Sequence, residues 1–299
     1  MENSEEKKVG IITFEQFQGK RNIGSTRIRI KWPLKHWPEA EEFIMGRKYE
    51  TFIFQKAYWL EGMEELDRYA PNQHIKILDI CDADWLHWGY RIKQILDTVD
   101  AVTTSTIQQA EFLTKYTDKP IWCIPDRLEL ELFDGIKKEH EDKRADTAVW
   151  YGYSENFPML DSAIGALVTC GIKKLIVIAN ARNPYQLPAG FASRIEVSNL
   201  PWTEETYLTD ILKGDLVINP KSDKGRWKYK SNNKTINAWA LGMPVAHDQV
   251  ELKALIDPVA RKEEAEMRYK MAHEEYNVID SVAEFRALIA ELKQQKGLV

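Results

Sequence analysis

Short runs of β-branched and aromatic residues alternate along this chain with longer stretches of helical period. In the first half, Val9 to Phe14, Thr51 to Phe54, Ile75 to Ile80, Ala101 to Thr104 and Pro120 to Ile124 read as strands. Helical periodicity between them is clearest in Asp84 to Val99 and in Thr106 to Tyr116, for which Ser105 is a candidate N-cap. The charged stretch Lys137 to Asp146 has almost no apolar residue to bury, and the interdomain linker is expected near it. The alternation restarts at Thr147 to Gly152 and continues through Lys174 to Ala179, Arg194 to Val197, Asp215 to Asn219 and Pro244 to His247. Beyond His247 the pattern turns helical in Glu251 to His273 and Ser281 to Gln295. Strands separated by crossover helices predict parallel sheets, so the fold class is α/β with two Rossmann-like domains and C-terminal helices. The expected boundaries are 1–142 and 143–275, with 276–299 a helix packing back on the N-terminal domain.

The bulk properties narrow this picture. At 299 residues the chain exceeds one typical domain, and 44% hydrophobic with 29% charged residues is ordinary globular composition. Cys81, Cys123 and Cys170 are few and widely spaced, which argues against a disulfide framework or a CxxC metal site and fits a reducing compartment. The first eight residues are charged and no run of about 18 apolar residues occurs, so neither a signal peptide nor a membrane span is expected, and the location expected is cytoplasmic. A net charge of −5 argues against nucleic-acid binding through the whole surface but leaves room for a local basic patch.

Such a patch exists. Lys221 to Lys234 holds six Lys/Arg and one Asp, a local charge of +5. It sits within Asp215 to Val245, which reads as strand, basic loop, helix, turn and strand. Ser231 or Asn232 would start the helix, Ile236, Trp239 and Ala240 form its inward stripe, and Gly242 with Pro244 stops it. Open N–H groups of a first helical turn, the positive end of the helix dipole and neighbouring lysines suit a diphosphate. The alternative is that Ser231 and Asn232 simply cap the helix and the lysines form a solvated face. Trp202 and Trp227 are read as core residues, because large aromatics usually serve cores.

With Lys230-Ser231-Asn232-Asn233-Lys234 followed by Ala238, Ala240 and Gly242-Met243-Pro244-Val245, the segment resembles the second domain of GT-B glycosyltransferases. Trp150-Tyr151-Gly152 is similar to that domain's opening strand and glycine turn, and Leu200-Pro201-Trp202 to the loop near its donor base. The resemblance implies two domains facing each other across a cleft. It implies a nucleoside diphosphate sugar as donor substrate, held at its diphosphate by Ser231, Asn232, Asn233 and Lys234 with Lys230, and no required metal. Arg182, after the strand ending at Ala179, joins them as a candidate phosphate ligand. The glutamate pair common in the family around this helix is absent here.

In the first half, Gln16 to Arg29 combines Gly19, Gly24 and Ser25 with Lys20, Arg21, Arg27 and Arg29. It resembles the GSxRxR segment on the acceptor side of some GT-B enzymes, which makes Gly24, Ser25, Arg27 and Arg29 acceptor-side candidates. A basic surface loop with a glycine turn is the alternative. Lys56, after a strand, is a further candidate for the cleft. Asp79, Asp82 and Asp84 cluster at another strand end. Oxygen ligands of this kind suit Mg²⁺, but a general base toward an acceptor hydroxyl is preferred for Asp82 or Asp84. Asp84 as a helix N-cap and Asp82 as a turn residue are the competing readings.

The activity implied is hexosyl or pentosyl transfer to an acceptor hydroxyl, with a hydroxymethylated base in DNA as one acceptor and a glycan or small molecule as others. A nucleotide-sugar-binding protein without turnover is the rival from another class.

Overall fold

A computed structural model describes residues 8–19, 23–66, 74–180 and 184–298. In chain order its first half comprises β1 (Val9–Ile12), α1 (Phe14–Gln18), α2 (Gly24–Thr26), a π-helical turn over Arg27–Lys31, α3 (Trp32–Leu34), β2 (Ala40–Glu42), β3 (Thr51–Gln55), α4 (Leu60–Leu66), β4 (Ile75–Ile80), α5 (Trp85–Leu96), β5 (Ala101–Thr104), α6 (Ile107–Leu113) and β6 (Ile121–Cys123). The second half comprises β7 (Thr147–Gly152), α7 (Phe157–Thr169), β8 (Lys174–Ala179), β9 (Glu196–Pro201), α8 (Tyr207–Ile211), β10 (Leu216–Ile218), α9 (Asn233–Ala240), β11 (Val245–Ala246), α10 (Gln249–Leu255) and α11 (Pro258–Glu275). The last helix is α12 (Val278–Lys296).

Two compact units result, one of residues 1–129, 224–231 and 278–299, the other of 130–223 and 232–277. The first holds a six-stranded sheet ordered β2-β1-β3-β4-β5-β6, every pair parallel. Alternate residues of its strands feed two cores, as the pleat requires. Phe52, Phe54, Leu78 and Ile80 pack with Ile92, Ile95 and Leu96 of α5 on one face. Ile53, Ile75 and Ile77 pack with Trp37 and with Val282, Phe285, Leu288 and Leu292 of α12 on the other. The bidentate pair of Arg127 with Glu284 holds α12 in this position.

In the second unit five parallel strands run in the order β11-β10-β7-β8-β9. One face buries Trp150, Val177 and Ile218 against Leu160, Ile164 and Leu167 of α7. The charged stretch expected as a linker belongs to this unit, where buried Arg261 of α11 donates to the carbonyls of Glu141 and Lys143 and Lys138 N–H to that of Leu241.

Several boundaries differ from the sequence expectation. The short strand β2, with the sequence Ala-Glu-Glu, carries too little apolar signal to be seen and exists because β1 offers it an edge. The strand expected at Arg194 to Val197 runs instead over Glu196–Pro201, an edge position where proline's missing N–H costs no ladder bond. The helix expected from Glu251 to His273 is broken before Pro258, where Asp257 caps α11 by accepting from Val259 and Ala260 N–H. Thr106 rather than Ser105 caps α6, accepting from Gln109 N–H, while buried Ser105 donates to the Cys81 carbonyl. Among the described residues no helix is long and apolar enough to cross a membrane.

Candidate active site

The carboxyl ends of β3, β4 and β5 gather the polar residues of the first unit. Just past β3, Lys56 adopts φ 53°, a left-handed conformation that costs a side-chain-bearing residue about 1–3 kcal/mol and is held only where surroundings over-determine it. Its ammonium reaches Asp82 at 2.9 Å and Asp84 at 3.2 Å. The other Asp82 oxygen accepts from Lys230, and the Tyr58 hydroxyl donates to Asp84 at 2.7 Å. Asp84 occupies the N-cap position of α5 but makes no capping bond, so its carboxylate serves this network and not the helix.

The two carboxylates are driven apart electrostatically. Burial alone would raise Asp82, but the ammoniums of Lys56 and Lys230 override it and hold the group well below the usual carboxylate range. Burial also raises Asp84, and there Lys56 and Tyr58 only partly offset it, so with Asp82 beside it Asp84 stays above its ordinary value. Lys56 itself, which burial would lower, is raised by Asp82 and Asp84 and stays charged. A poised base next to a permanent anion is the pattern that separates acid–base roles between paired carboxyls.

Below this network Arg29 is 4% exposed and pairs with Asp79 at 2.5 Å and with Asp126 at 3.4 Å, while donating also to the Ile124 carbonyl. Thr103 donates to Asp79 at 2.8 Å, and Ser231 donates to Asp126. The stretch expected as a glycine loop is helical from Gly24 to Leu34, with the π-helical turn carrying Arg27 and Arg29. Gly24 is buried, Ser25 is half-buried, and Arg27 lies 5.9 Å from the Trp32 ring centroid. Lys20, Arg21 and Arg182 lie outside the described residues.

Residues 224–231 stand between β10 and α9 in sequence yet belong to the first unit. Three anchors account for this. Tyr229 sets its ring edge-on to Trp85 at 4.9 Å and to Phe112 at 5.6 Å, and its carbonyl accepts from Gln109 at 2.8 Å. Lys230 pairs with Asp82 and Ser231 with Asp126. The sequence reading gave Lys230 and Ser231 to the donor diphosphate and had no signal for these partners, Asp82 and Asp126, which lie more than 100 residues away.

In the second unit, α9 begins at Asn233 with Asn232 in the N-cap position, but the Asn232 side chain makes no capping bond to the first turn. Its Oδ1 accepts instead from Lys221 at 3.3 Å. The Asn233 amide nitrogen is buried with no hydrogen-bond partner. Lys234 lays its ammonium 4.5 Å from the Trp150 ring centroid, directly over Gly152, where an added Cβ would meet Nζ at 2.6 Å. The Tyr151 hydroxyl donates to the Lys234 carbonyl, tying α9 to β7. At the ends of β10 and β11, Asn219 donates to Thr235, Thr235 meets His247 at 3.0 Å, and His247 meets Glu251 at 2.8 Å. Burial and Lys221 lower the His247 imidazole below its ordinary value, so it is neutral near pH 7. Tyr58 and His247 were not singled out from sequence, since an isolated Tyr or His carries no motif, and Lys221 was read only as the start of the basic stretch.

Trp202 and Trp227 are half-buried and not core residues: Trp202 packs on Tyr207 at 5.3 Å, and Arg226 lies 4.3 Å over the Trp227 ring. Among the described residues no group of three His, Cys, Asp or Glu is arranged to hold a metal ion.

The two parallel α/β units align with solved glycosyltransferase structures. The fold is GT-B. This GT-B chain aligns with the DNA-modifying enzyme β-glucosyltransferase at TM-score 0.59 and 10% identity, over 95% of this chain and 99% of that one. AviGT4, a glycosyltransferase involved in avilamycin A biosynthesis, aligns at TM-score 0.53 and 13% identity over 97% and 98%. TarM aligns at TM-score 0.59 and 11% identity over 80% of this chain and 54% of that one, so the chain spans about half of TarM's length. No protein-family model and no curated protein matches the sequence.

Proposed function

We propose that this GT-B protein transfers a sugar from a nucleoside diphosphate sugar to an acceptor hydroxyl. The observation that carries the reading is the α9 N-terminus, an eight-residue helix whose first-turn N–H groups receive no capping side chain while Lys221, Lys234 and the Asn233 amide stand beside them. Asn232, Asn233, Lys234 and Lys221 would hold the diphosphate, and Arg182 remains assigned to it from sequence. The substrate of the similar β-glucosyltransferase is uridine diphosphoglucose, which makes uridine nucleotides the first donors to test.

In the reaction the bond from the sugar's anomeric carbon to the diphosphate oxygen breaks and the acceptor oxygen bonds to that carbon. The diphosphate leaves with the electron pair, and preorganised N–H groups and ammoniums stabilise its charge. Asp84 is the better base of the two carboxylates, because its pKa is raised while that of Asp82 is depressed and both Asp82 oxygens are engaged by lysines. We assign Asp82 to holding Lys56 and Lys230 in place. The roles of Gly24, Ser25, Arg27 and Lys56 are on the acceptor side, and Arg29 supports them from below.

Thermal unfolding with a panel of nucleoside diphosphates and their sugars tests the donor site. Ligand at about 100 times its dissociation constant stabilises by roughly 2.7 kcal/mol. One nucleotide is expected to raise Tm in the wild type and to lose that effect in Asn232→Ala and Lys234→Ala. No shift with any nucleotide would sink the reading, and stabilisation without sugar transfer to any acceptor would mark a binding protein.

A pH profile tests the base. Tyr58→Phe removes a hydrogen bond that favours the charged form of Asp84, so the pKa of Asp84 should rise further. Transfer requires Asp84 deprotonated, so the acidic limb of the rate profile should move to higher pH, with little change on the plateau. An unmoved limb would remove Asp84 from the base role.

A further inference from the structure

We infer that the strap 224–231 of the first unit is a DNA-binding surface that presents the acceptor, an assignment that rests on the glycosyl-transfer reading for its purpose. The strap reads Lys-Gly-Arg-Trp-Lys-Tyr-Lys-Ser, four cations and no acid in eight residues of a protein whose net charge is −5. That segregation of charge matches a polyanion.

The chemistry is more specific than charge. Cations alternate with rings, and Arg226 is already stacked 4.3 Å from the Trp227 ring, with Trp227 half-buried instead of folded into a core. Such a pair offers a planar guanidinium for phosphate and a ring for base stacking, the combination used on nucleic-acid strands. Lys224 and Lys228 are exposed on either side of it.

The strap is also a built platform. Gln109, Trp85 and Phe112 grip Tyr229, and Lys230 and Ser231 are fastened to Asp82 and Asp126. On the helices that grip it, Tyr90 is 77% and Leu86 57% exposed on α5, and Ile107 is 56% exposed on α6. Because Lys230 is bound to Asp82, which lies two residues from Asp84, a strand held by the strap would lie beside the proposed base. An acceptor hydroxyl on a base could reach Asp84 once that base leaves the stack.

The test is fluorescence anisotropy of a labelled 20-base-pair duplex across 50–200 mM salt. The wild type is compared with Arg226→Gln/Lys228→Gln and Trp227→Ala, with nucleotide-induced stabilisation measured on the same samples. The double variant is expected to flatten the slope of log affinity against log salt by roughly two, since each phosphate contact contributes about 0.9. Trp227→Ala is expected to weaken binding of a labelled 20-nucleotide single strand, whose bases are free to stack, about tenfold, with Trp227→Phe recovering most of the loss. Nucleotide-induced stabilisation should be unchanged in all three, which shows that they are folded. The inference is overturned if the wild type does not bind the duplex or if the variants match it in affinity and slope. It is equally overturned if heparin binds as tightly and is weakened as much by Trp227→Ala. A wild type that binds DNA through the strap but responds to no nucleotide would leave the surface standing and remove the glycosyl-transfer reading.

Discussion

Arg29→Met is expected to destabilise the protein by about 3–5 kcal/mol, because it leaves buried carboxylates without their counter-charge. The Arg29 side chain is 2% exposed, Asp79 is fully buried and Asp126 is 8% exposed, so water cannot replace the guanidinium. Methionine fills much of the same volume, which confines the loss to electrostatics and hydrogen bonding. The pH dependence has a definite sign. Burial already raises Asp126 above its ordinary value, with Arg29 as the largest opposing influence. Without Arg29 the carboxyl titrates higher still, and a group with a raised folded-state pKa favours the folded state at low pH and penalises it as pH climbs. Urea denaturation should therefore show the deficit of Arg29→Met largest near neutral pH and shrinking as pH falls. The triple variant Arg29→Met/Asp79→Asn/Asp126→Asn should recover a substantial part of it. A loss under about 1 kcal/mol, or one that grows with acid, would contradict the picture of a buried ion-pair hub.

Gly152→Ala should weaken the donor nucleotide at least about tenfold, or about 1.4 kcal/mol, if the second unit holds a diphosphate beside Lys234. Gly152 sits at φ 148°, and its new Cβ would lie 2.6 Å from Lys234 Nζ and 2.7 Å from Cε. Those atoms are the far end of a flexible side chain, so the ammonium moves off the Trp150 ring and away from the α9 N-terminus. The backbone conformation adds a stability cost of about 1–3 kcal/mol, which separates the variant from Lys234→Ala, expected to lose nucleotide with little strain. Isothermal titration of both variants with the nucleotide that stabilises the wild type checks this. Wild-type affinity in Gly152→Ala would mean that Lys234 does not touch the donor.

These two sites differ in how far the sequence foretold them. Lys234 stands in a local pattern, a strand, a basic loop and a helix start, and that pattern alone placed it in the first turn of α9. The alternatives of a capping asparagine and an open helix start differ by one side-chain rotation, which the residue types leave undetermined, and Lys221 decides it by engaging Asn232. Arg29 was a candidate on the strength of its neighbours Gly24 and Ser25, yet the π-helical turn directs it into Asp79 and Asp126, 50 and 97 residues away.

By itself the sequence determined the α/β class, nine of the strands to within a few residues, and the helices α5, α6 and α12, because pleat and helical period are written in adjacent positions and need no partner to be read. The edge strand β2 and the shift of β9 came from the neighbours that offered them ladders. Only the tertiary structure decided that residues 224–231 belong with the first unit, that Asp84 answers to Tyr58 and Lys56 instead of capping its helix, and that Asp82 and Asp84 titrate in opposite directions. Those outcomes depend on burial and on charges brought together across long stretches of chain, and electrostatic interaction is set by distance in space and local dielectric, neither of which a linear pattern contains.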